Sequence, residues 1–174
     1  MPLQDHASAV RLLLFDVDGV LTDGTILVHG DGSESKQFNI RDGAGIVWAQ
    51  RAGLSIGILS ARSADATAVR AAQLGIEIVV QGSANKLAGY EQILREKALT
   101  DAQVGYMGDD LHDLPVLRRA GFSAAPADAA PEVRAAVQWI SSSGGGRGAA
   151  RECIEHVLRA QGHWRAAVGD YLGS

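Results

Sequence analysis

The chain has 174 residues, a hydrophobic fraction of 47%, and 16 Lys+Arg against 20 Asp+Glu for a formal charge of −4. That is the size of one domain with one sizeable core, and a balanced charge with no long run of one sign excludes the clustered basic face of a nucleic-acid binder. Cys153 stands alone, which excludes an intramolecular disulfide; no segment has the roughly 18 uninterrupted apolar residues of a membrane span, and the N-terminus lacks a signal-peptide pattern, so a soluble cytoplasmic protein is expected.

The apolar run at residues 10 to 16 predicts a first strand ending at Asp16. Strand side chains repeat every second residue, so Asp16 and Asp18 leave on the same side, where the chain opens into a glycine-bearing turn. Two like charges that close are tolerable when a divalent cation neutralises them or when one carboxyl keeps its proton. Residues 23 to 40 follow as an inserted antiparallel hairpin, because two β-prone stretches flank His29-Gly30-Asp31-Gly32-Ser33.

Helices are then predicted near 42 to 52, 64 to 74, 85 to 98, 112 to 120, 130 to 136 and 148 to 160. They alternate with strands near 54 to 59, 76 to 80, 103 to 107, 121 to 124 and 137 to 140. Gly53 and Gly75 stand where helix C-termini call for glycine. Residues 141 to 148, Ser-Ser-Ser-Gly-Gly-Gly-Arg-Gly, are expected to be a mobile loop or a backbone-lined binding surface, and residues 162 to 174 a flexible tail. The alternation predicts a single α/β domain: a doubly wound, mostly parallel sheet with an inserted hairpin.

Such sheets bind ligands at the carboxyl ends of their strands. Asp16 and Asp18 fall there, as do Ser60, Lys86 at the start of the next helix but one, and Gly108-Asp109-Asp110-Leu111-His112-Asp113. Taken singly, Ser60 reads as a helix cap, Lys86 as a surface lysine, Asp113 as a loop-orienting acid and His112 as an exposed bystander. Jointly they match phosphoryl transfer. An ionised carboxylate attacks phosphorus, magnesium held by carboxylates neutralises the phosphoryl oxygens, and an ammonium and a hydroxyl hold the rest. Asp16 is therefore the expected nucleophile and Asp18 the general acid/base two residues on. Ser60 and Lys86 are the phosphate-holding groups, and Asp109 is the metal ligand beside Asp16 and the Asp18 carbonyl.

Asp16-Val17-Asp18-Gly19-Val20-Leu21-Thr22-Asp23-Gly24, Ser60, Lys86 and the Gly108 to Asp113 stretch resemble, in order, the four motifs of the haloacid dehalogenase superfamily of phosphohydrolases. The second motif reads Ser60-Ala61-Arg62 in place of Thr-Gly-Arg, with the hydroxyl retained. More narrowly, residues 38 to 43, Leu59 to Arg62, Asn85-Lys86-Leu87 and Gly145 to Glu152 resemble the 3-deoxy-D-manno-octulosonate 8-phosphate phosphatases of lipopolysaccharide precursor synthesis. The resemblance implies a magnesium-dependent, cytoplasmic homotetramer with a Rossmann-like fold and no cap domain, and magnesium at Asp16, Asp18 and Asp109. It further implies substrate contacts from Asp18, Asn39, Ile40, Arg41, Asp42, Gly43, Val47, Arg62, Arg70, Lys86 and Asp110. Arginines suit a sugar acid bearing both carboxylate and phosphate.

Spacing also favours the capless form. Ser60 follows Asp16 by 44 positions already filled by a hairpin, a helix and a strand, and Lys86 follows Ser60 by 26, which leaves no room for a domain-sized insertion. Water would then be excluded by the hairpin of a neighbouring subunit, with the Gly144 to Gly148 loop or the tail as a gate. Three alternatives stay open: a related nonulosonate 9-phosphate as substrate, a phospho-receiver signalling domain, and a catalytically inactive structural subunit. Asp18 speaks against the receiver, which has no use for an acid/base beside its phosphorylated aspartate.

Overall fold

A computed structural model describes residues 3–173. Its main sheet has six strands in the order β5 (Ile78–Val80), β4 (Ser55–Leu59), β1 (Leu12–Phe15), β6 (Val104–Met107), β7 (Phe122–Ala125) and β8 (Trp139–Ile140). Every neighbouring pair is parallel. Leu12 to Phe15 are apolar without alternation because helices cover both faces of a parallel sheet. Leu13 and Phe15 enter one core, shared with α1 (Leu3–Ser8), α2 (Ile40–Arg51), α3 (Asp65–Gln73) and α7 (Ala149–Ala160). Leu12 and Leu14 enter the other, shared with α4 (Lys86–Lys97), α5 (Leu114–Leu117) and α6 (Pro131–Ala136).

This is the expected doubly wound α/β fold, with no cap domain. The chain leaves β1 for β4 and β5 on one side and returns to β6 on the other. The crevice between those halves opens at the carboxyl end of β1, where such folds bind ligands. Gly53 and Gly75 follow α2 and α3 at φ +87° and +67°, the left-handed backbone that ends a helix.

Three local expectations differ from the structure. The hairpin strands are short: β2 (Leu27–Val28) pairs with β3 (Glu34–Ser35), Leu27 opposite Ser35, and Asp31 draws the turn together by accepting from the Ser33 amide at 2.9 Å. The helix expected over 112 to 120 is a tight turn at Leu111–Asp113 followed by α5. Residues 162 to 174 were expected as a flexible tail; residue 174 lies outside the described residues, and Trp164–Leu172 form a helix. In α8 (Trp164–Leu172), Trp164 meets Trp48 edge-on at 6.1 Å and receives Arg159 over its ring at 4.9 Å, an aromatic and cation–π anchor.

Candidate active site

The segment after β1 is one wide turn, Val17–Leu21, closed by the Thr22 amide on the Val17 carbonyl at 3.0 Å. Asp18 (ψ 114°) and Gly19 (φ 90°) break the helical path inside it. A Cβ at Gly19 would lie 2.0 Å from Asp109 Oδ2, so the carboxylate from the end of β6 occupies space that only glycine leaves. The close approach carries Asp109 onto the Asp16–Asp18 turn.

Lys86 opens α4, whose preceding Asn85 accepts from the Ala88 amide at 3.2 Å. The ammonium is buried, 2.8 Å from Asp16 Oδ2, 2.5 Å from Asp113 Oδ1 and 3.2 Å from the Tyr106 hydroxyl, so each of its three protons has a partner. Asp113, fully buried, spends its other oxygen on the backbone amides of Asp109 and Asp110, at 3.0 and 3.1 Å. It thus holds the Lys86 head and the Asp109 loop together. Asp16 Oδ1 has no hydrogen bond or ion pair among the described residues.

Negative charge exceeds positive charge here. Burial, then the neighbouring Asp16 and Asp113 carboxylates, push the Asp109 carboxyl up to about 7. Asp109 Oδ1 and Asp18 Oδ2 are buried without a hydrogen bond. Crowded acids and the orphaned Asp109 oxygen call for a hard cation with oxygen ligands, so the Asp16 and Asp109 carboxylates suit magnesium, with Asp18 contributing through its carbonyl while its own carboxylate is paired with Lys36 and Arg62. Asp16, His112 and Asp113 also bring ligand atoms within 4.8 Å of one another. Lys86, Tyr106 and the Asp109 and Asp110 amides already occupy both oxygens of Asp113, which leaves that trio poorly suited to a cation.

Asp18 carries two partners on the solvent side. Lys36 donates to its Oδ1 at 2.6 Å and Arg62 Nε lies 3.6 Å from Oδ2, while Arg62 also grips Glu34 at 2.6 Å. Lys36 carries no spacing signal in the sequence and was not foreseen. His112, expected as an exposed bystander, has its Nε2 3.8 Å from Asp16 Oδ2, and its imidazole is raised by that carboxylate.

Ser60 is buried at the end of β4, anchored by its amide on the Val80 carbonyl at 2.8 Å. Asp110 is exposed and accepts from the Leu111 amide at 2.7 Å. The structure therefore gathers Asp16, Asp18, Arg62, Lys86 and Asp109.

The other expected sugar contacts form a second group. Asn39 caps α2 through the Arg41 amide at 2.8 Å, and Arg41 and Ile40 are exposed. Asp42 is buried, raised by burial, and accepts from the Arg151 amide at 2.8 Å. The Arg70 guanidinium lies so close to Gly43 that a Cβ there would meet it at 2.4 Å, and Val47 is half-buried one turn on. Among the described residues no hydrogen bond or ion pair links this group to Asp16, Asp18, Lys86 or Asp109. A groove of about 1260 Å³ lies at the opposite, amino ends of the strands between Val10, Leu54, Ile78 and Leu99, and none of these acids lines it.

Residues 54–151 match the haloacid dehalogenase-like hydrolase family. The chain is 42% identical over 175 residues to a 3-deoxy-D-manno-octulosonate 8-phosphate phosphatase from Salmonella typhi, covering 98% of this chain and 93% of the relative. The phosphatase of the same name from Yersinia pestis superposes with a TM-score of 0.91 at 39% identity, covering 93% of this chain and 88% of that one. The 3-deoxy-D-manno-octulosonate 8-phosphate phosphatase from Moraxella catarrhalis, solved in complex with a magnesium ion, a phosphate ion and a KDO molecule, superposes with a TM-score of 0.95 at 32% identity over 97% of both chains.

Proposed function

This chain belongs to the haloacid dehalogenase-like hydrolases, in the branch of the 3-deoxy-D-manno-octulosonate 8-phosphate phosphatases, and from that premise we propose how its own residues release phosphate from that sugar acid phosphate. The observation that carries the reading is the buried Lys86 ammonium bridging Asp16 and Asp113, with Asp109 seated on Gly19 beside them. Such a site presents a carboxylate nucleophile next to fixed positive charge, the arrangement phosphoryl transfer requires.

Asp16 Oδ1, the oxygen free of partners, attacks phosphorus as the bond to the sugar oxygen breaks, giving an aspartyl phosphate. Asp18 gives its proton to the departing sugar oxygen, then takes one from the water that attacks phosphorus and frees Asp16. Asp18 can carry that proton once the anionic substrate draws Lys36 and Arg62 away from it. Lys86 and Ser60 hold phosphoryl oxygens. Magnesium, held by the Asp16 and Asp109 carboxylates and by the Asp18 carbonyl so that the Asp18 carboxyl stays free for the proton, would supply the remaining charge neutralisation. Arg62 and Asp110 at the mouth, with Asn39 to Gly43, Val47 and Arg70 presented by α2 and α3, receive the sugar acid.

The α2 group makes no direct hydrogen bond or ion pair to the acids among the described residues, and in this proposal it completes a site shared between subunits of a cytoplasmic homotetramer. The exposed Leu27, Val28 and Ile40 on the hairpin and the first turn of α2 support such an interface. Phosphate release from the octulosonate 8-phosphate and from a nonulosonate 9-phosphate, with and without magnesium, tests the reading. Magnesium-dependent release from the octulosonate is expected, abolished in Asp16→Asn. A preference for the nonulosonate would overturn the substrate, and an active Asn variant the mechanism.

A further inference from the structure

We propose that Glu152, which makes no contact with the acids, is a positioning residue: it clamps the 141–148 loop so that Gly145 and Gly146 form the rigid back wall of the Asp16–Asp18 turn. The inference rests on the phosphatase reading above and assigns a task to a segment which that reading leaves idle.

By composition, Ser141 to Gly148 should be among the least ordered stretches of the chain, because glycine loses the most backbone entropy on ordering. The structure opposes that tendency with one carboxylate. Glu152 accepts from the Ser141 hydroxyl at 2.7 Å, the Ser142 amide at 2.8 Å, the Ser142 hydroxyl at 2.9 Å and the Ser143 hydroxyl at 2.5 Å. It sits in the first turn of α7, where the helix dipole favours a negative charge. Burial works to raise its carboxyl, yet the serine hydrogen bonds outweigh burial and hold it down to about 2. On the far side of the loop, Asp128 accepts from the Gly145 amide at 2.9 Å and the Ala127 amide donates to the Ser143 carbonyl at 3.0 Å.

Between these two grips the glycines touch the turn. A Cβ on Gly145 would lie 1.9 Å from the Gly19 carbonyl oxygen, and one on Gly146 would lie 2.6 Å from the Asp23 amide nitrogen. The Gly146 amide donates to the Val20 carbonyl at 2.9 Å, and the Gly146 carbonyl accepts from Asn39 at 3.1 Å. Gly19 supports Asp109 on its other face. A loop that recoils from Gly19 and Val20 therefore loosens the spacing of Asp18 and Asp109, the spacing a bound cation must find preset. Glutamine at 152 keeps the size of the side chain but removes the charge and replaces an accepting oxygen with a donor, so the Ser142 and Ser143 hydroxyls must turn round to accept and the clamp loses its charge-assisted hydrogen bonds.

The test compares Glu152→Gln with wild type in the full chain. It reads magnesium affinity by calorimetry, melting temperature, and kcat and KM on both the octulosonate 8-phosphate and p-nitrophenyl phosphate. The folded variant is expected to bind magnesium several-fold more weakly and to lose about tenfold to 10²-fold in kcat on p-nitrophenyl phosphate, with its KM within about twofold. A lowered melting temperature with magnesium affinity and kcat per folded molecule unchanged would overturn the proposal, leaving Glu152 a purely structural clamp. Should Glu152→Gln not fold, Ser143→Ala, which removes one hydrogen bond, is read by the same criteria, with smaller changes in the same direction expected. Wild type inactive on the octulosonate but active on p-nitrophenyl phosphate would overturn the substrate alone. Calorimetry judges the clamp independently of any turnover.

Discussion

Lys36 reaches Asp18 from the same chain: its ammonium lies 2.6 Å from Oδ1, with the side chain 1% exposed. The hairpin insertion thus contributes a cation to the site directly, before any neighbouring subunit is considered. With Arg62 held between Asp18 and Glu34, it forms a latch of two cations and two acids across the mouth.

Removing that cation should weaken the site where an anionic substrate enters. Lys36→Met is expected to lower kcat/KM on the octulosonate 8-phosphate by about 10- to 100-fold, the loss of one charged contact to the substrate or to the transition state. Steady-state kinetics at fixed magnesium check this. An unchanged kcat/KM would reduce the latch to a structural ion pair.

Asp109 predicts the pH dependence of metal binding. Its folded-state pKa is raised from the usual 3.8 to about 7, so between those values the folded chain keeps a proton that the unfolded chain has lost. In the absence of metal, this group's contribution to stability therefore declines as pH rises from about 4 to 7. A cation must displace that proton, so magnesium affinity should fall about tenfold per pH unit below 7 and level off above it. Calorimetry from pH 5.5 to 8.5 reads the slope. Asp109→Asn should melt higher than metal-free wild type at pH 8 and gain no stabilisation from magnesium.

Gly19 admits no side chain. A methyl group there meets the Asp109 carboxylate at 2.0 Å on a backbone at φ +90°, so Gly19→Ala must displace either the turn or the Asp109 carboxylate. Magnesium-dependent turnover should drop by about 10²-fold or more, with far-ultraviolet circular dichroism retained, since the strain is confined to one turn.

Asp113 is expected to act chiefly on stability. Asp113→Ala strips Lys86 of one of its two carboxylates and leaves the Tyr106 hydroxyl and the Asp109 and Asp110 amides without their acceptor. Breaking such a buried charged network costs about 3–5 kcal/mol, which urea denaturation would register as a lower midpoint with an unchanged slope.

The strand run ending in Asp16, the i, i+2 placement of Asp18, and the arrival of Ser60, Lys86 and Asp109 at successive strand ends were all readable from the chain. Each depends on local periodicity: an apolar run makes a buried strand, and alternation says which side its last residues face. Lys36, Glu152 and the helix at Trp164 were not readable. Lys36 finds Asp18 across 18 positions, Glu152 finds Ser141 to Ser143 around a glycine loop, and Trp164 is anchored by Trp48, more than one hundred residues earlier. Backbone pattern is set by neighbours along the chain, whereas an ion pair, a clamp or a ring contact forms only after packing brings remote side chains within a few ångströms. The candidate acids could be picked out from order and spacing alone; what holds them close together was decided by the folded packing around them.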